Sequence, residues 1–469
     1  MTDSSAAGLC RLTVRTPERV VDLAVPASVP IADLLPTLVT YGGEGLEESG
    51  LDHGGWVLQK LGGAPLDEEG TAQSLELRDG EVLYLRPRAD RLPEVHFDDL
   101  VDGIATTLRA TGQAWNERYT RITLRAVMVA VLAAGLLALA LPGGDRQLRA
   151  GLAAAAGVLV LAGAASASRA VGDAAAGAAL GVMAAPYLAL AGALLPTAAS
   201  GSGAAAPGEL LGAQLLAGSA AGAGGAVLAV AAVAAYVPLL TSSAVVALAG
   251  VAWGSLMLLM DIPASHAASL TAVLAVVFGA MVPALSARLA GLRLPALPTN
   301  ADELQEGIDP HDNELVVTRS ALAEEWMTAL FGAAGLVCGG CLAGLLLDRP
   351  GLPALITAGV LALVLLLHAR GIGAAPSRIA VLLPGVGGLL FLAFATSARI
   401  SPGLRPALVA VLLAVAAMAA IASWTVPGRR MVPYWGRAAD LLHSIAAVAL
   451  LPLALWVLGA FGALRAIGS

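Results

Sequence analysis

The sequence predicts a multidomain protein: a small soluble N-terminal domain of strands and one helix, then an all-α polytopic membrane domain of about 11 transmembrane helices. Three observations carry this. The 469 residues are 58% hydrophobic and only 13% charged, where an ordinary soluble chain is roughly a quarter charged. The charge is also unevenly placed. Residues 1–121 hold 20 Asp/Glu and 11 Lys/Arg, whereas residues 122–469 hold only 14 and 16. Finally, the second part is divided into apolar runs near the ~20 residues that cross a bilayer.

These figures exclude one large water-soluble enzyme. A formal net charge of −7 argues against a nucleic-acid partner, which needs a basic face. Cys10, Cys338 and Cys341 are too few for a disulfide framework. Met1 to Gly8 is polar and the first long apolar run starts near Ile122, so no secretory leader is read. The N-terminal domain is therefore expected in the cytoplasm.

In that domain, residues 1–89, Arg11 to Thr16 alternates polar and apolar with strand period. Thr16-Pro17-Glu18-Arg19 is a hairpin turn, and Val21, Leu23 and Val25 alternate again. Ile31, Leu34, Leu35, Leu38 and Val39 recur at helical spacing, with Pro30 at the start and Gly42-Gly43 at the end. Trp56 to Leu61 is a third strand, Leu66 begins a short fourth, and Val82 to Leu85 after the Asp79-Gly80 turn is a last one. The order β-β-α-β-β-β matches the β-grasp of ubiquitin-like domains. His53 reads as a solvated loop residue and Cys10 as inert packing. The chain runs on past Arg86-Pro87-Arg88 instead of ending in a free Gly-Gly, so docking to another protein is expected rather than conjugation.

Residues 90–121 form a connector. Phe97, Leu100, Val101, Ile104, Leu108, Trp115 and Tyr119 share one face of an amphipathic helix, with Asp98, Asp99 and Asp102 in its first turns. It either caps the soluble domain or lies on the membrane surface, or it is a docking helix. Trp115, Arg118, Tyr119 and Arg121 mark arrival at the membrane interface.

In the membrane domain, residues 122–469, the 11 expected spans are 122–141, 150–167, 174–195, 209–237, 242–260, 266–287, 327–347, 352–369, 377–397, 404–426 and 438–462. With the N-terminus inside, twelve arginines flank inner span ends and six flank outer ones. This predicts a cytoplasmic N-terminus and Ser469 outside. The long inner loop 288–326 carries eight acids against three arginines, and Leu315 to Trp326 reads as helix. It is either a solvated linker between a six-span and a five-span half or an acidic contact surface.

Asp173, Glu209, Asp261, Asp348, Asp440, His266 and His368 all fall at or near span ends. Ion-coupled transporters need ionisable groups at depth, so this distribution counts against one. Asp440 and His443 share a helix face and read as an interfacial polar patch. Cys338-Gly-Gly-Cys341 lies inside an apolar span, where thiolate chemistry is disfavoured, and reads as small packing residues. Gly177–Gly181, Gly218–Gly222, Gly335–Gly339 and Gly340–Gly344 are small-xxx-small steps that allow close helix approach. Pro186, Pro384 and Pro452 lie within spans. No Walker A, HExxH or GxSxG pattern occurs, so no catalytic, cofactor-binding or metal-binding residue is expected.

This order of parts resembles the EccD family, the many-span membrane component of actinobacterial type VII (ESX) secretion systems. The features that carry it are the Arg11-Leu-Thr-Val start, Leu77 to Arg86, Phe97-Asp-Asp-Leu-Val-Asp102, Arg288 to Pro295 and Trp424 to Arg437. The resemblance implies an inner-membrane scaffold beside EccB-, EccC- and EccE-like proteins, EccC being the ATPase. It further implies pairing with a second copy of itself, a large enclosed membrane cavity, and contact between the ubiquitin-like domain and the ATPase stalk. The exported substrates it implies are WXG100/ESAT-6-like helical proteins. The competing expectation is a stand-alone transporter or permease with a cytosolic regulatory domain, in which mutation of Asp440 or Gln214 abolishes uptake. A membrane enzyme has no visible nucleophile or metal-ligand set.

Overall fold

The alternation at the N-terminus is a strand whose every second residue faces inward. In β1 (Leu9–Arg15), Cys10, Leu12 and Val14 are buried while Leu9, Arg11 and Arg15 are exposed. The structure, a computed structural model, describes residues 9–43, 46, 54–61, 63–88, 117–197, 207–292, 313–347, 350–425 and 433–467. It falls into two units, Met1–Asn116 and Glu117–Ser469.

In the first unit β1 turns through Thr16–Arg19 into antiparallel β2 (Val20–Pro26). The turn is closed by the Thr16 N–H donating to the Arg19 carbonyl at 2.9 Å. Helix α1 (Ile31–Gly42) follows, then β3 (Trp56–Lys60) and β4 (Glu81–Pro87). The sheet order is β2-β1-β4-β3, and β4 runs parallel to β1 at the centre. Ile31, Leu38 and Val39 of α1 join Leu12, Val14, Leu58, Leu83 and Leu85 in one core. This is the β-grasp arrangement. The expected short strand at Leu66 is instead a single bridge between Gln59 and Pro65, with the Leu66 N–H on the Leu58 carbonyl at 2.8 Å. Pro65 has no N–H, so the ladder cannot extend through it. The expected amphipathic connector lies outside the described residues, except for its last five, which begin the first span.

Among its described residues, the second unit contains eleven helices long and apolar enough to cross a membrane. They are α2 (Glu117–Ala140), α3 (Arg146–Arg169), α4 (Ala174–Ala193), α5 (Pro207–Val233), α6 (Val237–Met260) and α7 (Ala264–Leu289). The rest are α8 (Asn313–Leu346), α9 (Leu352–Arg370), α10 (Ala375–Ser397), α11 (Arg405–Thr425) and α12 (Pro433–Val457), followed by the short α13 (Ala460–Ile467). Each matches an expected run to within a few residues, with one exception. Leu315–Trp326 is not a separate loop helix but the first part of α8, because nothing between Trp326 and Met327 breaks the 3.6-residue period. At 34 residues, α8 extends about 50 Å, well beyond a ~30 Å hydrocarbon layer.

The packing divides the spans differently from the six-plus-five reading. A small core joins α3, α5 and α6 through Ala164, Ala229, Val233 and Leu240, with Leu180 and Val182 of α4 packed against it. The main core joins α7 to α8, α9, α10 and α12. The sixth span therefore packs with the second group, because its Ala268, Ala272, Ala275 and Val282 are buried in one cluster with the core residues of α8, and a Cβ on Gly344 of α8 would sit 3.1 Å from that of Ala268. Helix approach depends on missing side chains, as expected where lipid gives no hydrophobic drive to association. A Cβ on Gly192 would sit 2.6 Å from the Ala217 carbonyl, and one on Gly218 2.8 Å from the Ala189 carbonyl.

Candidate functional site

The structure offers three candidate features: an open sheet face, seams of polar contacts between spans, and apolar cavities. On the soluble domain, α1 covers one side of the sheet. The other side presents Arg11, Thr13 and Arg15 from β1, Val20, Asp22 and Ala24 from β2, and Val82, Tyr84 and Arg86 from β4. Arg15 stands over the Tyr84 ring, 6.0 Å from its centroid. Asp22 accepts from the Thr13 hydroxyl at 2.6 Å. Lys60 pairs with Glu81 at 2.8 Å on the inward side of the sheet. Burial alone raises the Glu81 carboxyl, but the Lys60 ammonium and the Arg78 backbone N–H outweigh it and hold the group below its ordinary value. Cys10 is a free thiol that donates to the Leu77 carbonyl at 3.6 Å, and burial, then Asp79, push its titration up. It packs in the core, as the sequence suggests.

In the membrane unit, arginines at span ends satisfy the orphan carbonyls of neighbouring helix C-termini, where the helix dipole favours a cation. Arg149 donates to the Leu139 carbonyl at the end of α2. Arg146 donates to the Leu194 carbonyl at 2.8 Å, at the end of α4. Arg169 donates to Ala232 at 2.9 Å, at the end of α5, beside the Ser168 hydroxyl on Val233. Arg146 and Arg149 are two of the six arginines on the minority side of the orientation count, and helix capping explains their presence there. Asp173 caps α4 by accepting from the Ala176 N–H and takes the Arg125 guanidinium at 2.8 Å. Those two contacts, the backbone bond first, hold its carboxyl below the usual range.

The Asp440–His443 patch is half of a larger arrangement. Asp440 forms an ion pair with Arg370 of α9. One turn along α12, His443 stacks on His368 at 5.4 Å between ring centroids, and Phe331 meets His368 edge-on at 5.5 Å. The Nε2 atoms of His368 and His443 are buried, without a hydrogen-bond partner among the described residues. These rings and Cys338 line a cavity of about 400 Å³ among α7, α8, α9, α10 and α12. A second cavity of about 470 Å³, lined by Pro186, Ser219, Ser243, Trp253 and Gly340, opens between α4, α5, α6 and α8. The cross-helix pairs join residues some 70 positions apart, beyond any local spacing rule. The available signal was that Arg370 and Asp440 have opposite charge at adjoining span ends. Cys338 and Cys341 are buried free thiols in the α8 core. Among the described residues no three His, Cys, Asp or Glu side chains are placed to hold a metal ion.

The family model described as the EccD-like transmembrane domain matches residues 120–467. The chain belongs to the EccD family. A second model, YukD of the WXG100 protein secretion system, matches residues 9–85, the β-grasp unit of this EccD-family chain. The "ESX-4 secretion system protein eccD4" of Mycobacterium tuberculosis H37Rv is 30% identical over 480 aligned positions, covering 98% of each chain. The same protein of strain CDC 1551 matches equally. Among solved structures, protomer 1 of the ESX-3 core complex matches with a TM-score of 0.54 at 19% identity, over 97% of this chain and 100% of that one. A chain of the MycP5-free ESX-5 inner membrane complex matches with a TM-score of 0.57 at 20% identity, over 88% and 99%. At such identity these two establish the shared fold.

Proposed function

We propose that this EccD-family chain is a structural membrane subunit of a type VII secretion machine. The single observation that carries this is the fusion, in one chain, of a YukD-type β-grasp unit and an EccD-type eleven-span unit along the full length of an ESX-4 relative. In this reading the β-grasp unit docks the secretion ATPase, an EccC-like protein, and the spans hold EccB- and EccE-like subunits. The exported cargo is small helical proteins of the WXG100/ESAT-6-like type. The chain contributes no catalytic step of its own.

A second copy of the chain is the natural neighbour for the spans that find little cover within one copy. Neither α2 nor α11 has a buried residue, and α11 lies against little more than the end of α10 and the turn before it. The chain sits in the inner membrane with its N-terminus in the cytoplasm and its C-terminus outside, as the arginine distribution supports. Deleting the gene and complementing it tests the reading. Export of small helical proteins is lost and then restored. Unchanged export in the deletion would refute the proposal.

A further inference from the structure

We infer that the open face of the β-grasp sheet, which presents Arg15 and Arg86 beside Tyr84 and Arg11 further along β1, docks a carboxylate-rich segment of a cytosolic partner protein. This rests on the scaffold reading and names the face and the chemistry it selects. The first observation is segregation of charge. Residues 1–121 carry a net −9, yet this face presents three arginines and one acid, Asp22. The other acids of the described sheet domain lie off it: Glu18 in the β1–β2 turn, Asp33 on α1, Asp67, Glu68, Glu69, Glu76 and Asp79 in the segment before β4, and Glu81 inward on β4 against Lys60; of these Asp79 reaches the rim, accepting from the Arg11 backbone N–H at 2.7 Å. A basic face on an acidic domain attracts acidic partners.

The second observation is that these arginines are free to bind. Lys60 and Arg88 are spent on Glu81 and Glu68. Among the described residues, Arg11, Arg15 and Arg86 have no carboxylate at ion-pair distance. Asp22 is engaged by the Thr13 hydroxyl. The third is the composition of the face. Val57 and Gln59, which point outward on β3, are buried, so the free area spans β2, β1 and β4. There Arg15 and Arg86 flank Tyr84, Arg11 lies four positions further along β1, and Val82 and Val20 are exposed. An aromatic anchor flanked by arginines is the composition of a protein-binding hot spot, and the guanidinium fork matches a carboxylate in two parallel bonds. An anionic bilayer is the poorer fit, because surface attraction of that kind uses clusters of about four to eight Lys/Arg. This face has three, with an acid among them.

A photo-cross-linking amino acid at Val82, in the full-length chain in its own membranes, tests the assignment, with the adduct mapped to its peptide. The expected adduct is a protein segment rich in Asp and Glu. Its yield falls by about tenfold or more in Arg15→Glu/Arg86→Glu. It is unchanged in Arg78→Glu, which alters a basic residue off the face, and intermediate in Arg15→Lys/Arg86→Lys, which keeps the charge without the fork. Folding of each variant is checked by protease resistance of the sheet domain. A lipid adduct, a peptide without acidic excess, no adduct, or a yield indifferent to charge reversal would overturn the inference. Complex assembly is scored in the same membranes. An assembled complex without the predicted adduct defeats only this face assignment, whereas absence of a complex in the unmutated strain defeats the scaffold reading.

Discussion

Replacing Gly218 by alanine tests whether close backbone approach holds the first group of spans together. A Cβ at Gly218 would lie 2.8 Å from the Ala189 carbonyl oxygen and 2.9 Å from the Ala193 Cβ. Favourable separations between carbon atoms are about 3.5–4.0 Å, so α4 and α5 must part by roughly half an ångström or more. Overpacking of this kind costs about 1–3 kcal/mol. Alanine gives back about 1 kcal/mol of helix propensity. Gly224, six residues further along α5, has nothing within 4 Å of its built Cβ. Gly224→Ala therefore takes the propensity gain without the clash. The two variants should differ by about 1–3 kcal/mol, with Gly218→Ala the weaker. The assay is heating of the full-length protein in mild detergent, following the monodisperse fraction by size-exclusion chromatography. Gly218→Ala should lose its peak below the unmutated protein, and Gly224→Ala at or above it. Equal midpoints for the two variants would refute close approach at this seam.

Further predictions concern the other unit and the polar seams. Leu83→Ala removes a fully buried side chain from the β-grasp core and should cost about 2–5 kcal/mol, read as faster proteolysis within residues 9–88. The depressed Glu81 carboxyl contributes stability that is present above its unfolded value of about 4.3 and lost as pH falls through its lower folded value. Glu81→Gln should therefore flatten the acid limb of hydrogen-exchange protection in β4. Cys10, titrating above the ordinary thiol range, should resist alkylation at pH 8 in the folded protein and react freely once the domain is denatured. Asp440→Asn should change thermal stability by no more than about 1 kcal/mol, because the Arg370–Asp440 pair is largely exposed.

The fold was largely legible because each unit announces itself by a different period. The alternation from Arg11 to Thr16 specified β1, and the apolar runs placed the spans, since length and hydropathy are local properties. Contacts between distant residues were not legible. Nothing near His443 in the sequence points to His368, and nothing near Gly218 points to the Ala189 carbonyl. The five-plus-six packing of the spans was missed for the same reason. The long connection after Leu289 suggested a boundary, while the small residues that bind α7 to α8 are unremarkable in a chain so rich in alanine. Of the interaction face, the strand phase put Arg11 and Arg15 outward. Its union with Tyr84 and Arg86 depends on the parallel pairing of β1 with β4, which no local pattern encodes.

The central claim is that this chain works as part of a large assembly. Its most direct test is to solubilise native membranes gently, isolate the N-terminally tagged chain, and measure the mass and composition of what it carries. The expected result is an assembly much heavier than one 46.8 kDa chain, containing a second copy, a multidomain ATPase and further membrane subunits. A lone monomer, under conditions that keep other membrane complexes intact, would contradict it.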